Sequence, residues 1–248
     1  MPNLLRTSNP ALNPKAFQGE VATGEAMTLQ GTVNKTGILL ICTIATAAWT
    51  WQRFVAGGPQ AAMPLLIVGG IGGFIVALVT VFKKEWSPFT APLYALLEGL
   101  VLGGLSAAFN SYAPGIALEA VSMTFGTLFV LLAAYASRLI PVTQKFRLGV
   151  VAATGAIMVV YLATFVLSLF GVHTFSIYGN GGIGILFSAV VVIIAALNLV
   201  LDFDFIETAA RANVPKYMEW YAAFGLMVTL IWLYLEILRL LAKLRSRR

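Results

Sequence analysis

Acidic side chains stand within or beside long apolar stretches of this 248-residue sequence. The set comprises Glu98, Glu119, Asp202, Asp204, Glu207 and Glu236. An ionised side chain in membrane hydrocarbon costs about 2.5–3.5 kcal/mol even on lenient insertion scales, so each of these acids needs an explanation. Carboxylates that gather in a low dielectric raise one another's pKa. Such groups can bind a hard cation through oxygen or exchange protons with pH, and these are the chemistries that the acids predict.

Glu98 is the deepest of these acids, near the middle of an apolar stretch at 92–110. One interpretation is an ion-path or proton-binding residue that faces the interior of a helix bundle, and the other is a protonated side chain bonded to a neighbouring helix. Asp202 and Asp204 closely follow another apolar stretch, at 183–201. For them, a solvated helix end is the alternative to a functional role.

The remaining candidates have simpler interpretations from their spacing. Glu236 and Arg239 are three residues apart, which favours a local ion pair on one helix face. Glu119 lies near the start of a predicted helix, where a negative charge complements the helix dipole. Gly99 and Gly103 form a small-xxx-small pair, which is typical of a close contact between membrane helices.

The sequence lacks the residue patterns that many membrane enzymes use for catalysis. His173 is the only histidine and Cys42 the only cysteine, so neither a zinc hydrolase nor a disulfide is expected. The sequence contains no phosphate-binding loop and no nucleophile elbow. We therefore expect a protein that is not an enzyme and that needs no cofactor.

Composition identifies the elements that must position these side chains. Hydrophobic residues make up 59% of the chain and charged residues only 10%, against about 25% in soluble domains, and the mean hydropathy is +0.89. A membrane-spanning helix needs about 20 apolar residues. Seven such stretches are present, at 36–55, 62–82, 92–110, 116–137, 148–170, 183–201 and 220–241. The sequence thus predicts an all-α integral membrane protein, with a polar tail at 1–35, a seven-helix domain at 36–241 and a basic tail at 242–248.

The net charge of +6 is better explained by membrane topology than by binding to nucleic acid. With the N-terminus inside, ten cations fall in the cytoplasmic segments, and the loops on the opposite side contain only Arg53. The ten are Arg6, Lys15, Lys35, Lys83, Lys84, Arg138, Lys145, Arg147, Arg211 and Lys216. The C-terminal cations oppose this rule if the last segment crosses. That segment either re-enters the membrane and returns or crosses it fully, and its length favours the full crossing.

Two segments carry a family resemblance. The stretch 98–106, followed by 113–116 and 120–129, contains a Gly-x-x-Leu-Gly pattern at Gly99, Leu102 and Gly103. Near the C-terminus, 232–241 ends in Arg-Leu-Leu. Together they resemble the bacterial, YccA-like branch of the transmembrane Bax inhibitor motif family over about 36–241.

The resemblance implies a seven-helix bundle with the last helix central and a pH-sensitive calcium leak through it. The family's sensor is a pair of aspartates, one at the end of the sixth helix and one within the seventh. The first corresponds to Asp202 or Asp204, and the preceding pattern favours Asp202. At the second position the chain departs from the family, because alignment on Arg-Leu-Leu places Thr229 there. Glu236, two helical turns further on, is a candidate substitute.

The leading hypothesis is a cation leak in a bacterial inner membrane, with a cytoplasmic N-terminus and with gating by protons and Ca²⁺ as the conducted ion. Protonation would remove ligand charge and any ion pair that holds the bundle closed. The candidate residues, in order, are Asp202, Asp204, Glu236 and Glu98. The first two would also bind Ca²⁺ transiently, while Thr229, Gly99, Gly103 and Arg239 would line the pore or pack the helices.

Two rival hypotheses remain open. The first is a non-conducting protein that binds and regulates a membrane protease or another membrane complex, with the tail at 1–35 as the feature to test. The second is proton-coupled transport of a small solute through Glu98, which would show saturation and concentrative uptake.

Overall fold

The computed structural model describes residues 25–170, 179 and 181–246, and almost all of this part of the chain is helical. Its long helices are α1 (Leu29–Phe82), α2 (Ser87–Tyr112), α3 (Ile116–Ala136), α4 (Gln144–Leu169), α5 (Gly182–Arg211) and α6 (Met218–Arg245). All six are long and apolar enough to cross a membrane, which confirms the prediction of an all-α membrane protein. Of the predicted tail at 1–35, residues 1–24 lie outside the described residues.

Helix α1 is 54 residues long and changes direction at Gly58, whose φ of 70° and ψ of −170° are not helical. Thr43, before this point, donates a hydrogen bond to the Ala95 carbonyl of α2 at 3.0 Å. Gly73, after it, lies so close to α2 that an added Cβ would be 3.1 Å from Oε1 of Glu98. Thirty residues of straight helix would separate Thr43 from Gly73 by about 45 Å. The helix therefore folds back at Gly58 into leg 1 (29–57) and leg 2 (59–82), and both legs lie beside α2.

The prediction of seven helices is not confirmed, because the stretches 36–55 and 62–82 lie in one element, α1, whose two legs meet at the non-helical residue Gly58. The expected break at Gly57-Gly58-Pro59 takes the form of a single non-helical residue. Pro59 does not extend the break, because a proline suits the first turn of a helix, where no N–H donor is required. Six helices is thus the count in the described part of the chain.

Leg 1 and α2 touch at two glycines. A Cβ on Gly103 would overlap the backbone of Ala47, with the Ala47 Cα only 2.7 Å away, and a Cβ on Gly99 would overlap the Thr43 carbonyl. The absence of a side chain at these positions lets the two helix backbones approach closely. The structure therefore places Gly99 and Gly103 in helix packing.

Helix α6 lies at the centre of the bundle and contacts α1, α2, α3 and α5. Its large side chains Tyr221, Phe224, Met227 and Leu233 are each at most 1% exposed. A helix that is apolar on all sides is stable only when it is buried in this way. The central helix is therefore the last one, as the family resemblance implied.

Helix α6 also runs the full length of the bundle. At its start Glu219 accepts a hydrogen bond from the Thr28 backbone N–H at 2.9 Å, and at its end Arg245 is ion-paired with Glu119 at 2.5 Å. We call these the N-terminal face and the C-terminal face of the bundle. Its 28 residues span about 42 Å without interruption, so within the described residues α6 does not re-enter and return.

The close contact at Gly103 can be tested by adding one methyl group. We expect Gly103→Ala to lower the free energy of unfolding by on the order of 1–3 kcal/mol, because the Ala47 backbone must move to make room. Gly126→Ala in α3 is the control, since nothing lies within 4 Å of its added Cβ, and it should raise stability by about 0.5–1 kcal/mol. Denaturant titration in mixed micelles, followed by circular dichroism, measures both. Equal effects of the two substitutions would contradict this packing.

Candidate functional site

Asp202 lies in the seam between α5 and α6 and is completely buried. The Thr229 hydroxyl, 3% exposed, donates a hydrogen bond to Oδ2 of Asp202 at 2.5 Å. An aspartate oxygen can accept this bond whether the acid is charged or protonated. Thr229, which the Arg-Leu-Leu alignment places at the position of the family's second aspartate, is therefore in direct contact with Asp202.

Helix α5 carries a second buried polar side chain on the same face, one turn before Asp202. Asn198 is 2% exposed and donates through Nδ2 to the Thr154 hydroxyl of α4 and to the Ile194 carbonyl, both at 2.8 Å. Residues four apart share a helix face, so this spacing was a signal that sequence reasoning missed. The seam side of α5 is thus lined by two polar groups, each bonded to a different neighbouring helix.

Asp204 points away from Asp202, because residues two apart on a helix differ by about 200°. It forms an ion pair with Arg147 of α4 at 2.5 Å, and both side chains are about one-fifth exposed or less. The two aspartates therefore contact different helices and do not share a site. No group of three His, Cys, Asp or Glu side chains that could hold a metal ion occurs in 25–170 or 181–246.

Glu236 is 2% exposed and is held by two partners. Arg239 donates to both of its oxygens, at 2.8 and 3.0 Å, and the Tyr161 hydroxyl of α4 donates to Oε1 at 3.0 Å. The Arg239 guanidinium also lies 5.6 Å from the centre of the Tyr161 ring. The local ion pair predicted from spacing is present and is extended by an aromatic residue on another helix. Glu236 lies seven residues from Thr229, about 10 Å along α6.

Of the other acids, Glu98 lies midway along α2 beside leg 2, and Glu119 and Glu207 lie at the two faces of the bundle. Glu98 is half-buried on α2 and hydrogen-bonded to Tyr94, one turn earlier. Glu119 is half-exposed and pairs with Arg245 on the C-terminal face. Glu207, on the N-terminal face, pairs with Arg138 at 2.7 Å and also with Arg211 and the Tyr135 hydroxyl. The predicted acids are thus distributed over separate contacts.

Asp204 and Glu236 each have an arginine partner at their own depth, and only the partner of Glu236 was predicted from the sequence. Arg147 was assigned to a loop, but α4 begins at Gln144 and carries Arg147 in its first turn, within reach of Asp204. Arg239 lies on the same helix as Glu236 and reaches it directly. Both acids therefore serve as anchors between or along helices.

Lys243 is a buried cation that sequence reasoning placed in the basic tail at 242–248. It is 4% exposed, and its Nζ donates to the Ser188 hydroxyl at 2.8 Å and to the Gly184 carbonyl at 3.1 Å. Helix α6 continues to Arg245, which carries Lys243 against the start of α5. A long apolar stem with a polar tip suits such a position near a helix end.

The segment before α1 is attached to the α5–α6 loop on the N-terminal face. The Met27 N–H donates to the Val214 carbonyl at 2.8 Å, and the Lys216 N–H donates to the Glu25 carbonyl at 3.1 Å. Glu219, 1% exposed, accepts hydrogen bonds from Thr28 and pairs with Lys35. These contacts fix the start of leg 1 against the start of α6.

Comparison with known proteins gives one match. A family model described as Bax inhibitor 1 like matches residues 9–246. The match includes both halves of the Asp202–Thr229 contact and all six helices. No curated protein and no solved structure matches the chain significantly.

The half-buried ion pair between Arg147 and Asp204 should be energetically coupled. In a double-mutant cycle with Arg147→Gln and Asp204→Asn, we expect a coupling free energy of about 2 kcal/mol, because either single change leaves a partly desolvated charge without its partner. The more exposed Arg245–Glu119 pair, changed to Gln in the same way, should give less than about 1 kcal/mol. Unfolding in mixed micelles provides the four free energies of each cycle. A coupling no larger than that of the exposed pair would contradict an anchoring role.

Proposed function

The chain belongs to the Bax inhibitor 1 like family, and on this premise we propose that it is a pH-sensitive cation leak. The observation that carries the proposal is the fully buried Asp202, hydrogen-bonded to Thr229 in the seam between α5 and the central helix α6. A single proton on Asp202 changes the charge in this seam. The family resemblance supplies Ca²⁺ as the cation to test.

The proposed gate rests on the cost of a charge in a dry seam. An ionised carboxylate held away from water is costly, and hydration of an opened seam would recover part of that cost. A protonated Asp202 carries no charge and is compatible with the dry, closed seam. Deprotonation at higher pH therefore favours the open state, and protonation at lower pH favours the closed one.

The other candidate acids have a supporting role in this proposal. Asp204 and Glu236 are each neutralised by an arginine, and their contacts reach α4 through Arg147 and Tyr161. These contacts hold α4 against α5 and α6 in both states. The proposed sensor is thus one carboxylate, and Thr229 takes the place of the second one that the family resemblance implies.

We further propose that the chain crosses the membrane seven times, with leg 1 and leg 2 of α1 as separate crossings and the N-terminus in the cytoplasm. Leg 1 and leg 2 span about 43 and 36 Å, each enough for a hydrocarbon core of about 30 Å. The excess of cations near the N-terminal face supports this orientation. A bacterial inner membrane is the location that the YccA-like resemblance suggests.

Calcium flux into liposomes that contain the purified protein tests the gate. We expect wild-type flux to rise from mildly acidic to alkaline pH, and Asp202→Asn, which keeps the shape of a neutral acid, to give low flux at every pH. Thr229→Asp restores a second carboxylate; two adjacent negative charges repel each other, so its alkaline flux should exceed that of the wild type. Glu119→Gln, half-exposed and remote, should leave the profile unchanged.

Two outcomes would contradict the gate. A wild-type pH profile that survives in Asp202→Asn would exclude Asp202 as the sensor, and an Asn variant open at every pH would reverse the proposed direction. Absence of flux at any pH from folded protein would favour the rival hypothesis of a non-conducting regulator of a membrane protease. The rival hypothesis can be tested by deletion of residues 1–24. If it holds, the shortened protein should no longer capture the membrane protease.

The crossing number is tested by labelling of a cysteine beyond the end of α6. In a Cys42→Ala background, Ser246→Cys should react with a membrane-impermeant maleimide added outside intact cells, since α6 ends on the face opposite to the N-terminus. A cysteine at Lys84, between α1 and α2, should react only after the cells are opened. Labelling of Ser246→Cys only from inside would contradict the seventh crossing.

A further inference from the structure

An apolar groove of about 470 Å³ lies between leg 1, α3, α5 and α6. Its walls are formed mainly by large aliphatic and aromatic side chains, among them Val33, Leu40, Phe129, Leu132, Phe203 and Leu226. Its volume is within the range of small-molecule binding sites, about 300–1,000 Å³. An apolar cavity does not hold ordered water, because water needs two or more polar partners there. In a membrane, the molecules available to fill it are lipids.

The depth of the groove corresponds to one leaflet. Its lining extends from Leu29 to Leu40 on leg 1 and from Phe125 to Ala136 on α3, in both cases about 16 Å of helix. Half of a hydrocarbon core of about 30 Å is 15 Å. The groove therefore matches the length of one acyl chain that enters from the leaflet at the N-terminal face.

The mouth of the groove, on the N-terminal face, is polar and carries a net positive charge. Tyr135, Arg138 and Glu207 line it, and Arg211 joins them through its ion pair with Glu207. Two guanidinium groups share one carboxylate, which leaves a charge of +1. The side chains of Arg138 and Arg211 are 65% and 70% exposed, so each keeps N–H donors directed outward.

We propose that this groove binds one anionic phospholipid, with an acyl chain along leg 1 and α3 and the phosphate against Arg138 and Arg211. The apolar walls select an acyl chain, and the positive mouth selects an anionic headgroup over a zwitterionic one. Guanidinium groups are suited to phosphate oxygens because their N–H donors form a planar fork. Basic pockets between membrane helices bind lipid headgroups by the same chemistry. The site is independent of the proposed leak, because it makes no use of Asp202.

Lipid retention measured by native mass spectrometry tests the site. The whole protein, in detergent with equal amounts of phosphatidylglycerol and phosphatidylcholine, should retain one phosphatidylglycerol. Arg138→Gln and Arg211→Gln should each weaken this binding about fivefold, the effect of removing one basic residue at a membrane surface. Glu207→Gln should strengthen it, because the mouth then carries a charge of +2.

Two matched controls separate the site from general effects of charge or bulk. Arg53→Gln removes an exposed arginine of the α1 bend and should leave binding unchanged. Leu132→Trp fills the groove and should lower retention at least tenfold, whereas Leu118→Trp, on an exposed part of α3 outside the groove, should have no effect. Thermal unfolding of each variant identifies any loss of fold.

The proposal is overturned by any of three results obtained with folded protein. These are equal retention of the two lipids by the wild type, the same retention in the Arg138 and Arg211 variants as in Arg53→Gln, or the same effect of tryptophan at Leu132 and at Leu118. Weaker binding in Glu207→Gln would also contradict it, because loss of a mere structural contact would lower affinity whereas the proposed electrostatic role requires an increase.

Discussion

The desolvation of charged and polar groups is the physical constraint on which this bundle depends. Helix α6 is the most buried of the six long helices, so the polar side chains at its buried positions need partners within the protein. Thr229 meets this requirement with Asp202, and Glu236 meets it with Arg239 and Tyr161. These bonds connect α6 to α5 and α4 at fixed positions along the helix axis. The polar contacts thus add to apolar packing in fixing the register of these helices.

Close backbone packing provides the second part of the arrangement. The glycines of α2 bring leg 1 against it, and the return at Gly58 brings leg 2 to the same helix. Because hydrophobic association is weak between helices already in lipid, such backbone contact and dispersion are the main attractions there. α1 and α2 therefore form a compact unit built on small residues. α5 and α6, by contrast, are joined through a buried carboxylate, and a change of one proton can alter only the second kind of contact.

Much of this arrangement could be predicted from the sequence, and the failures have definite causes. The lengths of the uncharged stretches located the helices, and the aligned Arg-Leu-Leu ending placed Thr229 at the position of the family's second aspartate. The contact between Thr229 and Asp202 was not predicted. The break at Gly58 was located, but its tightness was not predicted, because only one non-helical residue separates leg 1 from leg 2. Arg147 was not predicted as the partner of Asp204, because the topology argument treats each cation as part of a loop. Tyr161 could not be predicted as a partner of Glu236, because the sequence does not show which residue a hydroxyl on an apolar helix will contact.

The same reasoning bears on the conflict between the C-terminal cations and the proposed direction of α6. The positive-inside rule counts each lysine and arginine as a free charge in a loop. In the structure Arg239 is neutralised by Glu236, Arg245 by Glu119, and Lys243 is enclosed near the start of α5. Three of the cations that oppose a full crossing therefore belong to the folded bundle. Their partners lie on α3, α5 and α6 themselves, so the free energy that holds them at the C-terminal face comes from packing and pairing within the protein. A sequence rule based on loop charge cannot include that contribution, and the full crossing of α6 is consistent with the orientation that the other loops favour.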